Sequence, residues 1–248
     1  MPSRSDEGYV LARYPYRERD LIVAVLTRFA GQIRVLARGA RSPRSGVAPT
    51  VEPLAHVKLT YFERSRSELA TLGETELVRS AFPLASNPPG WAAGQVVVEL
   101  TLLHCPAGQR LESAFRLVDR CTQALLAGHD PLVVAHYAEL WFLRLAGVLP
   151  EISRCGVCGA ALTERWRVFD AGEGVFVCGA HPAPRRRLRL GWPSVAWLGE
   201  ALRRPVEEIG APAPADAFRW MVGVRREFTD REVASWRYLL DLTGPEER

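Results

Sequence analysis

The stretch CGVCGAALTERWRVFDAGEGVFVCGAH, Cys155 to His181, decides how the second half of this chain is organised. Cys155 and Cys158 are separated by two residues, Cys178 follows after nineteen more, and His181 after another two. Two short chelating turns at roughly that separation let a chain close a four-ligand tetrahedron around zinc. Gly156, Gly159 and Gly179 let the backbone bend tightly at the turns. Between them, Trp166 to Asp170 and Gly174 to Val177 read as two short strands joined at Ala171-Gly172, the outline of a zinc ribbon. A lone CxxC is as easily a redox pair or a pair of buried thiols. The second chelating turn, CGAH, argues against both. All four positions are protein ligands, which leaves none open for water, and the His-x-Glu element of zinc deaminases is missing. The expected ion is one structural zinc.

Composition bounds the rest. Of 248 residues, 48% are hydrophobic, enough for real cores, and the net charge is +4. Lys58 is the only lysine, so nearly all positive charge is arginine, which grips phosphate through paired N–H groups. A P-loop needs Gly-Lys-Ser/Thr, whereas Lys58 lies between Val57 and Leu59, so nucleotide hydrolysis by that route is excluded. No Ser-His-Asp or Cys-His arrangement follows from spacing. Cys105 and Cys121 read as buried thiols, and His56, His104, His129 and His136 as ordinary polar or core histidines. No secretory signal opens the chain and no apolar run reaches the roughly eighteen residues that span a bilayer. A cytoplasmic protein with no membrane partner is expected.

Working outward toward the N-terminus, residues 1–82 read as a small barrel. Tyr9–Tyr14, Leu21–Thr27, Gln32–Arg38, Val57–Glu63 and Leu69–Leu72 are the expected strands. In the third, Ile33, Val35 and Ala37 point one way, and Arg34, Leu36 and Arg38 the other. Gly31 sits in the tight turn before it. Five short strands with one long connection, Gly39–Pro53, suit a closed barrel of the OB type. Residues 83–150 then carry helical periods, the metal element occupies 151–192, and 193–248 complete the helical domain. The fold class is α+β.

Phosphate has several candidate contacts. Arg34, Arg38, Arg41 and Arg44 line the third strand and its loop, and Arg13 and Arg17 lie near the first strand. A positive barrel face beside a basic loop is how OB folds track a nucleic-acid backbone. Tyr14, Tyr16, Tyr61 and Phe62 are candidate stacking platforms, or else barrel core. Arg185, Arg186 and Arg187, with Arg189, form a second basic run after Pro182 and Pro184. Arg203-Arg204 and Arg225-Arg226 read as ordinary helix surface.

Several stretches together resemble one known family. VLARYPYRERD, TRFAGQIRVLARGARSPRS, VEPLAHVKLTYFERSRSELATL, FLRLAGVLPEISRCGVCG and VFVCGAH occur in the order and spacing of the bacterial recombination mediator RecO family, across most of residues 8–181. The resemblance implies an N-terminal OB domain, a helical domain and a zinc element. It also implies binding of single- and double-stranded DNA, annealing of complementary strands, and work with RecR to load RecA onto strands coated by single-strand-binding protein, with RecF a further candidate partner. A nucleoid-associated protein without enzymatic activity is the corresponding expectation. His181 departs from the cysteine common at the fourth position. The rival readings are a zinc-ribbon DNA- or RNA-binding regulator, which would show sequence preference, and an adaptor with little DNA affinity of its own.

Overall fold

The computed structural model describes residues 3–42, 45–64 and 67–244. Five strands, β1 (Ser3–Tyr16), β2 (Asp20–Thr27), β3 (Gly31–Ala37), β4 (His56–Arg64) and β5 (Ser67–Arg79), close a barrel in the order β1-β2-β3-β5-β4. β1 closes it by pairing with both β2 and β4, and β3 runs parallel to β5. This is the expected OB-like barrel. Its strands alternate because one face fills the barrel: Val23 and Val25 of β2, Val35 and Ala37 of β3, and Val57, Leu59 and Tyr61 of β4 are buried together. Arg34 and Arg38 point outward to solvent. Tyr61 is 1% exposed and belongs to that core, so it is no stacking platform. Gly31 turns the β2–β3 hairpin at φ +73°, where a Cβ would meet the Gln109 carbonyl oxygen at 1.9 Å. Glycine alone fits there.

The chain divides into two compact units, residues 1–131 with 233–248, and residues 132–232. In the first, the barrel is followed by α1 (Pro88–His104) and α2 (Glu112–Leu126), and α6 (Ser235–Thr243) returns to pack on α1. Asn87 caps α1 by accepting the Gly90 N–H at 3.1 Å. α1 is apolar nearly all round and buries Ala93, Val96, Val97 and Leu100, as a helix covered on several sides must. α2 instead has one buried stripe, Ala114, Phe115, Val118, Cys121 and Leu125, set by its 3.6-residue period. Tyr9 in β1 donates to Asp119 in α2 at 2.5 Å, and Arg79 of β5 meets the same carboxylate at 3.2 Å. Ser235 opens α6 by donating to Glu99 of α1 at 2.6 Å.

The second unit holds α3 (Pro131–Leu145), a three-stranded sheet, α4 (Trp192–Ala201) and α5 (Ala215–Phe228). The sheet comprises β6 (Arg167–Asp170), β7 (Val175–Val177) and β8 (Arg187–Leu190), in the order β7-β6-β8. The inner face of the sheet stacks Phe169 and Phe176 against Trp220 of α5, with ring centroids 5.9 and 5.3 Å away. Phe176 is 1% exposed, and its burial contributes roughly 1.5–3 kcal/mol. Glu139 of α3 and Arg225 of α5 form a buried ion pair at 2.8 Å. His136 of α3 accepts the Ala213 N–H on Nδ1 at 3.0 Å, and burial brings its pKa down to about 4. Arg225 is therefore an interior residue rather than helix surface.

Candidate metal centre and nucleic-acid interface

Cys155, Cys158, Cys178 and His181 come together, their ligand atoms all within 4.8 Å of one another. The first turn is closed by Gly159 N donating to the Cys155 carbonyl at 2.8 Å, with Gly159 at φ +73°. It is sewn to β7 by Gly156 N on the Phe176 carbonyl at 2.8 Å, so the knuckle and the sheet form one piece. The second turn carries Cys178 N onto the Cys155 sulfur at 3.4 Å. Gly179 is not among the left-handed glycines and has open space around it, so that position does not need glycine. Arg167, 7% exposed, holds the loop bearing the first turn by donating to the carbonyls of Leu162 at 2.6 Å and Ile152 at 3.3 Å. Sequence reasoning read Arg167 only as part of a strand; its anchoring role needed the fold.

The donor set fits a cation. The Sγ atoms of Cys158 and Cys178 are 3.7 Å apart. His181 Nε2 is buried with no hydrogen-bond partner among the described residues, a cost that a metal bond would remove. Burial opposes ionisation of the Cys155 thiol. The backbone N–H groups of Cys158, Cys178 and Val157 outweigh burial and bring the pKa down to about 6, toward the ligating thiolate. By contrast, burial pushes the Cys105 thiol up to about 12, which makes it inert.

The basic residues separate into two groups. Arg17 and Arg19 flank the β1–β2 turn, and Arg38 and Arg41 the turn after β3. Arg41 N donates to the Arg19 carbonyl at 3.0 Å, and Gly39 N to Asp20 Oδ1 at 2.8 Å, so both turns lie side by side at one end of the barrel. All four side chains are exposed, as is Arg34 on the wall below, and none has a carboxylate partner among the described residues. Arg17 is non-glycine at φ 53°, a costly conformation held next to its contact over Tyr16 at 5.3 Å. Arg19 is not among the basic residues singled out from the sequence; it joins the group only in the fold, through its carbonyl's bond from Arg41 N. Arg13 is held by Glu52 at 2.6 Å, and Arg44 lies outside the described residues. Tyr14 and Phe62 are exposed and Tyr16 half-buried.

The second basic run is part of a strand the sequence did not announce. Arg185 to Arg187 lead into β8, where Arg187 and Arg189 are exposed and Leu188 and Leu190 turn inward. Arg186 is tied to Glu227 at 3.1 Å. No helix among the described residues is long and apolar enough to cross a membrane.

Comparison with known proteins agrees with the fold. Residues 1–81 match the family model described as recombination protein O N terminal, and residues 86–238 the one described as recombination protein O C terminal. The DNA repair protein RecO of Koribacter versatilis is 29% identical over 237 residues, covering 94% of this chain and 96% of that protein. That of Anaeromyxobacter sp. strain K is 31% identical over 244 residues, covering 96% of each. That of Bifidobacterium adolescentis is 27% identical over 248 residues, covering 96% of this chain and all of the relative. With both halves matched in order, and relatives aligned over nearly the whole of both chains, the chain belongs to the RecO family of DNA repair proteins.

Proposed function

We propose that this chain is a recombination mediator. It binds single- and double-stranded DNA, anneals complementary strands and helps load RecA onto single strands in recombinational repair. The observation that carries this reading is the side-by-side packing of the two arginine turns at the barrel end, Arg17 and Arg19 against Arg38 and Arg41. Residues 1–82 are the nucleic-acid-binding domain in this reading. Phosphates lie against Arg17, Arg19, Arg34, Arg38 and Arg41, with Arg185 and Arg187 as a second contact. Arg13 and Arg186, already paired with Glu52 and Glu227, contribute less.

Annealing requires no bond to be made or broken. Two single strands repel through their phosphates, and a guanidinium cluster that neutralises backbone charge lowers that barrier while leaving the bases free to pair. Residues 151–192 are the metal element, and the ion is zinc with a structural role. Two thiolates at about 2.3 Å from a tetrahedral zinc are separated by about 3.8 Å. The 3.7 Å between Cys158 and Cys178 agrees with that separation. Bound there, zinc would staple the two turns to the sheet. The partners are RecR, single-strand-binding protein and, indirectly, RecA, with RecF a further one, in the cytoplasm at the nucleoid.

The test is RecA filament formation on single strands coated with single-strand-binding protein, in the presence of RecR. This chain should shorten the lag before filament growth. A lag unchanged at every concentration would overturn the mediator reading and favour an adaptor.

A further inference from the structure

The outer face of the three-stranded sheet carries an aromatic-arginine platform. In β8 the exposed residues are Arg187 and Arg189, two apart and therefore on one face. Their antiparallel partners in β6 are Asp170 and Val168, which share that face. The Arg189 guanidinium lies over the Trp166 ring, 4.3 Å from its centroid, and Trp166 keeps 38% of its surface exposed. Asp170 makes no direct ion pair with Arg187 and is engaged in its own turn, where its Oδ1 accepts the Gly172 and Glu173 N–H groups at 2.9 and 3.4 Å. Arg185, Arg187 and Arg189 have no carboxylate partner among the described residues, whereas Arg186 does. β8 is an edge strand, with no further strand among the described residues paired beside it.

An exposed indole backed by a guanidinium, beside unpaired arginines spaced along an extended strand, matches the chemistry of single-stranded nucleic acid. Bases stack on the ring and phosphates meet the arginines. We propose that this face is a second single-stranded-DNA site, separate from the barrel. Trp166 stacks a base, Arg189 holds the indole in place, and Arg185 and Arg187 contact the flanking phosphates. This inference rests on the DNA-binding reading above but not on the barrel arginines.

The test compares Trp166→Leu, Trp166→Phe and Arg187→Ala with the metal-loaded wild-type chain, using a thymidine oligonucleotide and the same oligonucleotide with abasic sites. Trp166→Leu should bind the thymidine strand about 5- to 160-fold more weakly, the range for loss of one stacked base. Trp166→Phe should recover most of that loss. On the abasic strand Trp166→Leu and wild type should match, because no base is left to stack. Arg187→Ala should flatten the salt dependence by about 0.7 in log-log slope, whereas Trp166→Leu should leave the slope unchanged. The proposal is overturned if Trp166→Leu, folded by its melting curve, binds the thymidine strand like wild type. It is also overturned if the abasic strand shows the same loss. Removing Arg38 and Arg41 tests the barrel independently. A loss there with none at Trp166 sinks only this site, and the reverse sinks only the barrel.

Discussion

Replacing Arg38 and Arg41 together by alanine measures how many phosphates the barrel end holds. Five exposed arginines without carboxylate partners among the described residues stand there: Arg17, Arg19, Arg34, Arg38 and Arg41. Each phosphate contact on a single strand contributes about 0.7 to the slope of log affinity against log salt. Five contacts at the barrel end therefore contribute about 3.5 to the slope, or roughly a 130-fold loss of affinity when salt rises about fourfold. With two removed that contribution falls to about 2.1, and its share of the loss over the same salt step to roughly 20-fold. Both side chains are exposed, so stability should change by no more than about 0.5 kcal/mol. Fluorescence anisotropy of a labelled oligonucleotide at four or five salt concentrations reads the slope directly. Arg13→Ala is the control, since Glu52 at 2.6 Å already neutralises that guanidinium and its removal should move the slope little. A double variant that melts like wild type and keeps the wild-type slope refutes the argument.

A zinc-loaded chain should lose its ion on chelation or in His181→Ala, and its second unit should then melt at a lower temperature, whereas His181→Cys should keep one ion per chain. Metal content beside calorimetry checks this, and the barrel's salt slope should survive metal loss. Glu139→Ala leaves Arg225 buried with only the Arg231 carbonyl at 3.2 Å and its remaining contacts, and should cost about 3–5 kcal/mol. Replacing both Glu139 and Arg225 by well-packed apolar residues should restore most of that, as a urea-melt double-mutant cycle would show. His136 has its folded pKa lowered to about 4 from 6.5, so its contribution is fully present above about pH 6.5 and fades as pH falls through about 4. The acid loss should reach about 3 kcal/mol and should flatten in His136→Leu, as melting temperatures across that pH range would show.

The chain announced its barrel through local patterns and hid what depends on distant pairing. β3 was legible because it alternates strictly and is preceded by a glycine that only the turn can use. β1 extends back to Ser3 because Ser3 to Tyr9 pair with β4, and that polar run has no periodicity of its own. β8 reads as a basic loop after two prolines; it becomes a strand because Leu188 and Leu190 complete the inner face opposite Phe169 and Arg167. The metal quartet was legible since its ligands lie in two short turns. The arginine cluster was half legible. Arg38 and Arg41 stood out, but Arg19 joins them through a backbone bond between turns about twenty residues apart, and Arg13 leaves the group through Glu52, 39 residues away. The return of α6 to α1 has no sequence signal, because its apolar residues say that it packs and not on what.

The most direct measurement follows two complementary labelled oligonucleotides in buffer without nucleotide cofactors, with the metal-loaded chain added at increasing ionic strength. Charge cancellation by arginine predicts that pairing accelerates with protein, slows as salt rises, and is largely lost when Arg19, Arg38 and Arg41 are reversed to glutamate in a chain that still melts normally. Pairing no faster than in buffer alone, or equally fast with the reversed chain, would contradict it.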